Sequence, residues 1–135
     1  MERFKGVIKK DFLIKDAINK MAGSHENKFI AGMAVVVDEE NKVVGVISDG
    51  DIRRGILKGI DIESTVERIA NFKPITVNKN QTKSQMVKEI IDECDKRNTS
   101  YKKYSKIILV DNENKFYDVI LASDIFEEII ESKNI

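Results

Sequence analysis

The sequence repeats itself. Val37, Asp38 and Asp51 recur 73 residues later as Val110, Asp111 and Asp124, and Val7-Ile8 recur as Thr76-Val77 at an offset of 69. Self-similarity at a fixed offset marks one supersecondary unit used twice. The two offsets differ, so the second copy carries extra residues between its helix and its hairpin. The polar stretch from Asp95 to Ser105 is where they are expected. Each copy is too short to bury much apolar surface alone, whereas 135 residues together suffice for a shared core.

The unit itself reads as βαββα. Val7-Ile8 is a short strand, and Leu13, Ile14, Ala17, Ile18, Met21 and Ala22 recur at helical spacing. Asp11 is placed to cap that helix and Gly23-Ser24 to end it. Met33 to Val37 is an apolar, largely β-branched run suited to a buried strand. Asp38-Glu39-Glu40-Asn41 is a hairpin turn, and Val43 to Ile47 returns. A second helix opens at Ser48-Asp49 and stops at Gly59, and Thr65 to Ala70 forms a further helical turn or two. The pattern restarts at Ile75-Thr76-Val77, with a helix through Met86, Val87, Ile90, Ile91 and Cys94 capped near Thr82 or Ser84. A hairpin follows from Ile107 to Leu121, and a last helix carries Ile125, Phe126, Ile129 and Ile130. The expected class is α/β (α+β). The first repeat with its connecting helix spans 1–70 and the second spans 71–135.

Composition removes several function classes. Lys+Arg and Asp+Glu both number 23, and a chain without a basic field lacks the counterion-release drive of a general nucleic-acid binder. The single cysteine, Cys94, cannot close an internal disulfide, which suits a reducing cytoplasm. No apolar run approaches a membrane span or a signal h-region. One histidine, His25, in a polar stretch read as solvated, and one cysteine on an apolar helix face cannot build an ordinary zinc site. No metal site and no nucleophile–base pair is assigned, so the chain is read as not an enzyme.

The chemistry concentrates at Gly45-Val46-Ile47-Ser48-Asp49-Gly50-Asp51-Ile52-Arg53-Arg54. A strand ends and a helix begins here, and the opening N–H groups of a helix favour an anion. Ser48 offers a hydroxyl. Asp51 offers an acceptor-only carboxylate, suited to the two hydroxyl protons of a ribose diol. Arg53 and Arg54 add forked donors for phosphate. Gly45 and Gly50 leave room for close approach of backbone or ligand.

This stretch resembles the G-h-x-[ST]-x-x-D motif that closes each CBS (cystathionine-β-synthase-type) domain, and the duplicated arrangement resembles a Bateman module. The wording Ser48 to Arg54 is similar to CBS pairs attached to sugar-nucleotidyltransferases. The resemblance implies two repeats packed through their sheets as a pseudo-twofold pair, a cleft between them, and a homodimer. It implies a regulatory role, an adenine nucleotide (AMP, ADP or ATP) as ligand, and no required cofactor. Carried over, Asp51 binds the ribose hydroxyls and Ser48 contacts ribose or phosphate. Val7, Ile8, Gly32 and Met33 line the adenine slot, and Arg53 or Arg54 meets phosphate. The second copy departs from the motif: Asp118 stands for glycine and Leu121 for Ser or Thr, and only Asp124 is kept. The first site is therefore expected to be the better one.

Plainer readings stand beside these. Asp51 and Asp124 could merely complement a helix dipole, and Ser48 could be only a cap. Tyr101 to Lys106, a basic run interleaved with aromatics, could hold a base or be a solvated loop with Tyr104 packed on the sheet. A ligand-free dimerisation or docking module is the alternative function, and a small enzyme ranks last.

Overall fold

A computed structural model describes residues 2–126. The chain divides into two compact units, Met1–Pro74 and Ile75–Ile135. In the first, β1 (Val7–Lys9) leads to α1 (Ile14–Ala22), β2 (Met33–Val37), β3 (Val43–Ser48) and α2 (Asp49–Leu57), followed by a 3-10 turn at Val66–Arg68. In the second, β4 (Thr76–Asn78), α3 (Lys83–Lys96), a 3-10 turn at Tyr101–Lys103, β5 (Lys106–Val110) and β6 (Phe116–Leu121) repeat the order. Residues 123–126 are helical at the end of the described residues, so Ile129 and Ile130 lie outside them.

The two sheets are copies in register. In the first, β1 runs parallel to β2 with Val7 opposite Val35, and β3 returns antiparallel with Ser48 opposite Met33. In the second, Thr76 lies opposite Ile108 and Leu121 opposite Lys106. Both hairpins slip register at the same place, before Val37 and before Val110. Their turns match bond for bond. Asp38 Oδ1 accepts the N–H groups of Glu40 and Lys42, each at 2.9 Å, and Asp111 Oδ1 accepts those of Glu113 and Lys115, each at 2.9 Å. Asn41 and Asn114 take the left-handed conformation at φ 66° and 64°, which asparagine tolerates because its short amide bonds locally. The N–H bonds, that of Lys42 or Lys115 foremost, hold both aspartates below the usual carboxylate range.

Each sheet buries one face against its own helices. Ile8, Ala34, Val36 and Ile47 join Ile14, Ala17, Met21, Ile52 and Val66 in the first core. Val77, Ile107 and Leu109 join Met86, Val87, Ile90, Cys94 and Ile125 in the second. The other sheet face is apolar too: Met33, Val35 and Val37 in the first sheet, and Ile108, Val110 and Val119 in the second, are all buried. Cys94 is a core residue, and burial pushes its thiol pKa up.

Several expectations change. Helix α1 is not capped by Asp11; its N-cap is Leu13, which makes no side-chain cap bond. The carbonyls of Ser64 and Ile62 instead accept from Ile14 and Lys15 at 2.9 and 3.0 Å, so a distant loop closes the helix end. The extra length of the second copy is helix rather than loop: α3 has 14 residues against nine in α1, and the connections that follow, 97–105 and 23–32, are nearly equal. Thr82 and Gln85 cap α3 reciprocally through Gln85 N to Thr82 Oγ1 at 3.1 Å and Thr82 N to Gln85 Oε1 at 2.9 Å. His25 is not solvated. Its side chain is 12% exposed, with Nδ1 accepting from Asn27 N at 2.9 Å. The segment after the first 3-10 turn belongs to the first unit, because Asn71 exchanges both backbone bonds with Val46 at 2.9 Å.

Candidate functional site at the junction of β3 and α2

Strand β3 ends at Ser48 and α2 starts at the next residue, so Ser48 is the N-cap. Asp51, three residues on, faces back to it. Ser48 Oγ accepts from Asp51 N at 3.2 Å, while Asp51 Oδ2 accepts from Ser48 N at 2.9 Å and from Ser48 Oγ at 3.0 Å. This is a closed capping box with Asp in the place more often held by Glu or Gln. Asp51 Oδ1 takes a further bond from Arg54 Nη2 at 2.7 Å.

A carboxylate offers about four acceptor positions, two per oxygen, and a hydroxyl offers two with one donor. Oδ2 is filled by Ser48, and Oδ1 holds Arg54 at one position and has one left. The hydroxyl of Ser48 spends its proton on Asp51 and one lone pair on the Asp51 N–H, leaving one acceptor position. A diol reaching this junction therefore meets one acceptor on Asp51 and one on Ser48 while Arg54 stays in place. The carboxylate alone takes both protons only if Arg54 leaves Oδ1. The helix end is also partly occupied: Asp49 N donates to Gly32 O at 3.2 Å and Asp51 N to Ser48 Oγ. An anion placed here would lean on the arginines rather than on the helix terminus alone.

The fold brings Gly32, Met33, Ser48 and Asp51 together. Met33 is the cross-strand partner of Ser48, and Gly32 stands just before it with φ 90°, a conformation in which glycine is at ease. Val7 shares a sheet face with Val35, and hence with Met33 two residues along. Ile8 does not belong to this group. It points to the helix side and is 1% exposed among Ile14, Ala17 and Met21, because successive strand residues alternate faces. Arg53 and Arg54 are exposed on α2, and only Arg54 bonds Asp51. Asp124 is exposed in the second unit, beside Leu121, whose side chain has no group with which to form the reciprocal cap.

The glycines of the motif serve the chain itself. A Cβ on Gly45 would stand 3.1 Å from Asn71 O and 3.3 Å from the Phe72 ring, and one on Gly50 would stand 3.0 Å from Arg54 Nη1. Gly45 thus admits the segment after the first repeat, and Gly50 lets the Arg54 guanidinium lie across the first helical turn. A hollow of ≈ 310 Å³ lined by Ile18, Met21, Gly32, Asp49 and Ile52 adjoins the junction. A larger one of ≈ 570 Å³, with Lys9, Asp11, Val37, Asp38, Glu39 and Phe72 on its wall, sits at the opposite end of the same strands and includes no motif residue. In the second unit Tyr104 packs against the core, and Tyr101 stacks on Phe126 with ring centroids 4.9 Å apart. The aromatics of the basic run are thereby engaged within their own unit. No helix among the described residues is long and apolar enough to cross a membrane.

The profile of the CBS domain family matches residues 7–58. A Helicobacter pylori protein is 43% identical over 60 residues, and an arabinose 5-phosphate isomerase of Pseudomonas aeruginosa is 40% identical over 47. These matches cover 44% and 34% of this chain but only 17% and 14% of those proteins. Among solved structures, a Pyrobaculum aerophilum CBS domain protein complexed with AMP aligns over 97% of this chain and 95% of its own, with 20% identity and a TM-score of 0.70. A CBS domain pair in complex with 5'-methylthioadenosine and S-adenosyl-L-methionine aligns over 98% and 93%, with 18% identity and a TM-score of 0.65. At such identities the likeness is one of fold. Residues 7–58 carry the CBS domain pattern, and the chain as a whole has the fold of a CBS domain pair.

Proposed function

We propose that this chain is a non-catalytic regulatory module that binds an adenine nucleotide, AMP, ADP or ATP. The Ser48–Asp51 junction is its principal contact. The observation that carries the reading is that junction: a hydroxyl and a carboxylate locked together at a helix start, with acceptor positions left and Arg54 alongside. Ser48 and Asp51 would receive the ribose hydroxyls, Arg53 or Arg54 the phosphate, and Val7, Gly32 and Met33 would flank the base. The solved structures of like fold that hold AMP or S-adenosyl-L-methionine support an adenosine-type ligand. A homodimer is part of the same reading.

The regulated activity would belong to an attached or partner enzyme acting on sugar derivatives, such as a sugar-nucleotidyltransferase. The short match to a sugar-phosphate isomerase supports a sugar-handling partner at the coarser level. Binding regulates only if the nucleotide favours one arrangement of the module over another.

Asp51→Ala tests the reading. Loss of hydrogen bonds to a charged group lowers AMP affinity by about 1.5–3 kcal/mol, measured by isothermal titration. Equal affinity in wild type and variant removes the ribose role. One observation favours a second reading, a ligand-free docking module: Ile56 and Leu57 of α2 are 51% and 80% exposed. Thermal shift separates the two, since a nucleotide at a hundred times its dissociation constant stabilises by about 2.7 kcal/mol and a docking module shows no shift.

A further inference from the structure

Arg54 occupies an acceptor position that a sugar diol held by the Asp51 carboxylate alone would need. Its Nη2 lies 2.7 Å from Asp51 Oδ1, whereas Oδ2 is taken up by Ser48. Oδ1 is thus the only oxygen of this carboxylate with acceptor capacity to spare, and the guanidinium already sits on it. The arrangement is built by sequence. Arg54 stands three positions after Asp51 on one helix face, and Gly50 has no Cβ to meet Nη1, which would stand 3.0 Å away. The arginine is 60% exposed at its side chain while Asp51 is 21% exposed, so the cation can leave and the carboxylate stays.

Resting on the nucleotide reading above, we propose that Arg54 is a built-in competitor at the ribose site that selects nucleotides over nucleosides. A ligand without phosphate must share Oδ1 with the guanidinium or displace it into water, losing a charge-assisted bond. A ligand with phosphate draws the guanidinium onto its own oxygens, where a planar fork matches the anion at least as well. Asp51 then presents both lone pairs of Oδ1 to the diol. The exchange makes phosphate and ribose recognition one event, with Arg54 the specificity-determining residue. Uncharged or cationic adenosine compounds are disfavoured by the same exchange.

Titration calorimetry of wild type, Arg54→Ala and Gly50→Ala with adenosine and with AMP tests this. Wild type binds AMP more tightly than adenosine. Arg54→Ala gains affinity for adenosine severalfold and loses AMP preference by about tenfold or more, the worth of one charge-assisted hydrogen bond. Gly50→Ala, which crowds the guanidinium without removing it, moves both values in the same directions by less. Adenosine affinity unchanged or lowered in Arg54→Ala, with AMP still bound by wild type, overturns the competitor role and leaves the nucleotide reading standing. Wild type that binds neither ligand overturns both.

Discussion

Ser48 and Leu121 occupy the same place in the two repeats, each the last residue of a returning strand paired with the first residue of the central one. One residue type separates two outcomes. At Ser48 the strand-to-helix passage closes into a reciprocal cap that fixes a half-buried aspartate. At Leu121 no such cap can form, and Asp124 is exposed. Sheet, hairpin and register are shared; the polar junction is not. The repeats thus share the scaffold, while the closed polar junction is present where a hydroxyl holds the carboxylate. The plain reading of Ser48 and Asp51 as a helix cap is what the bonds show, and the proposed binding role would draw on the same two side chains.

The largest expected effect tests the scaffold side of this comparison. Ile47 is fully buried, whereas its counterpart Ile120 is only partly so. Ile47→Ala is expected to cost about 2–5 kcal/mol of stability and Ile120→Ala clearly less, read by urea denaturation. Equal losses would mean that the second repeat leans on its third strand as heavily as the first. Next comes the junction. Ser48→Ala loses about 1–2 kcal/mol, the upper range for a cap, and weakens AMP binding with it. Asp124→Ala leaves stability within about 0.5 kcal/mol, as for an exposed residue away from special features. An AMP titration equally damaged by Asp124→Ala would make the two junctions functional equals.

Smaller effects test what the repeats share. Asn41→Ala and Asn114→Ala each place a Cβ-bearing residue with no amide in the left-handed region, at about 1 kcal/mol, and the two losses should match within error by chemical denaturation. The turn aspartates give a pH signature. Both have folded pKa values below the ordinary 3.8. Their contribution is complete above that value and is lost as the pH falls through the lower folded values. Asp38→Asn and Asp111→Asn should each flatten the acid limb of a stability–pH curve, and by similar amounts. A difference between them would show that the turns, identical in their bonds, differ in their surroundings.

Much of this could be read from residues alone, because it is local. The hairpins follow from β-branched runs around Asp-x-x-Asn, and the Ser48–Asp51 pairing from cap spacing. What could not be read depends on chain distant in sequence. With Leu13 as an N-cap that has no polar side chain, the first N–H groups of the helix, those of Ile14 and Lys15, are met by the carbonyls of Ser64 and Ile62. Ile8 faces the helices rather than the side of Val7 and Met33, which a strand of three residues is too short to reveal by alternation. The extra residues of the second copy look like polar loop, yet their charged side chains are equally at home on an exposed helical turn. The grip of Arg54 on Asp51 was open to sequence reading, since the spacing is helical, but two adjacent arginines gave no means to choose between them.

Gly45 is the glycine of β3. Its missing side chain makes way for the backbone of Asn71 and the ring of Phe72. A substitution there would disturb how residues 71 and 72 seat along the strand, and any loss of ligand affinity would arrive secondhand. In this chain, counting that glycine as a ligand signature would credit recognition with what is tailoring between two neighbouring stretches of main chain.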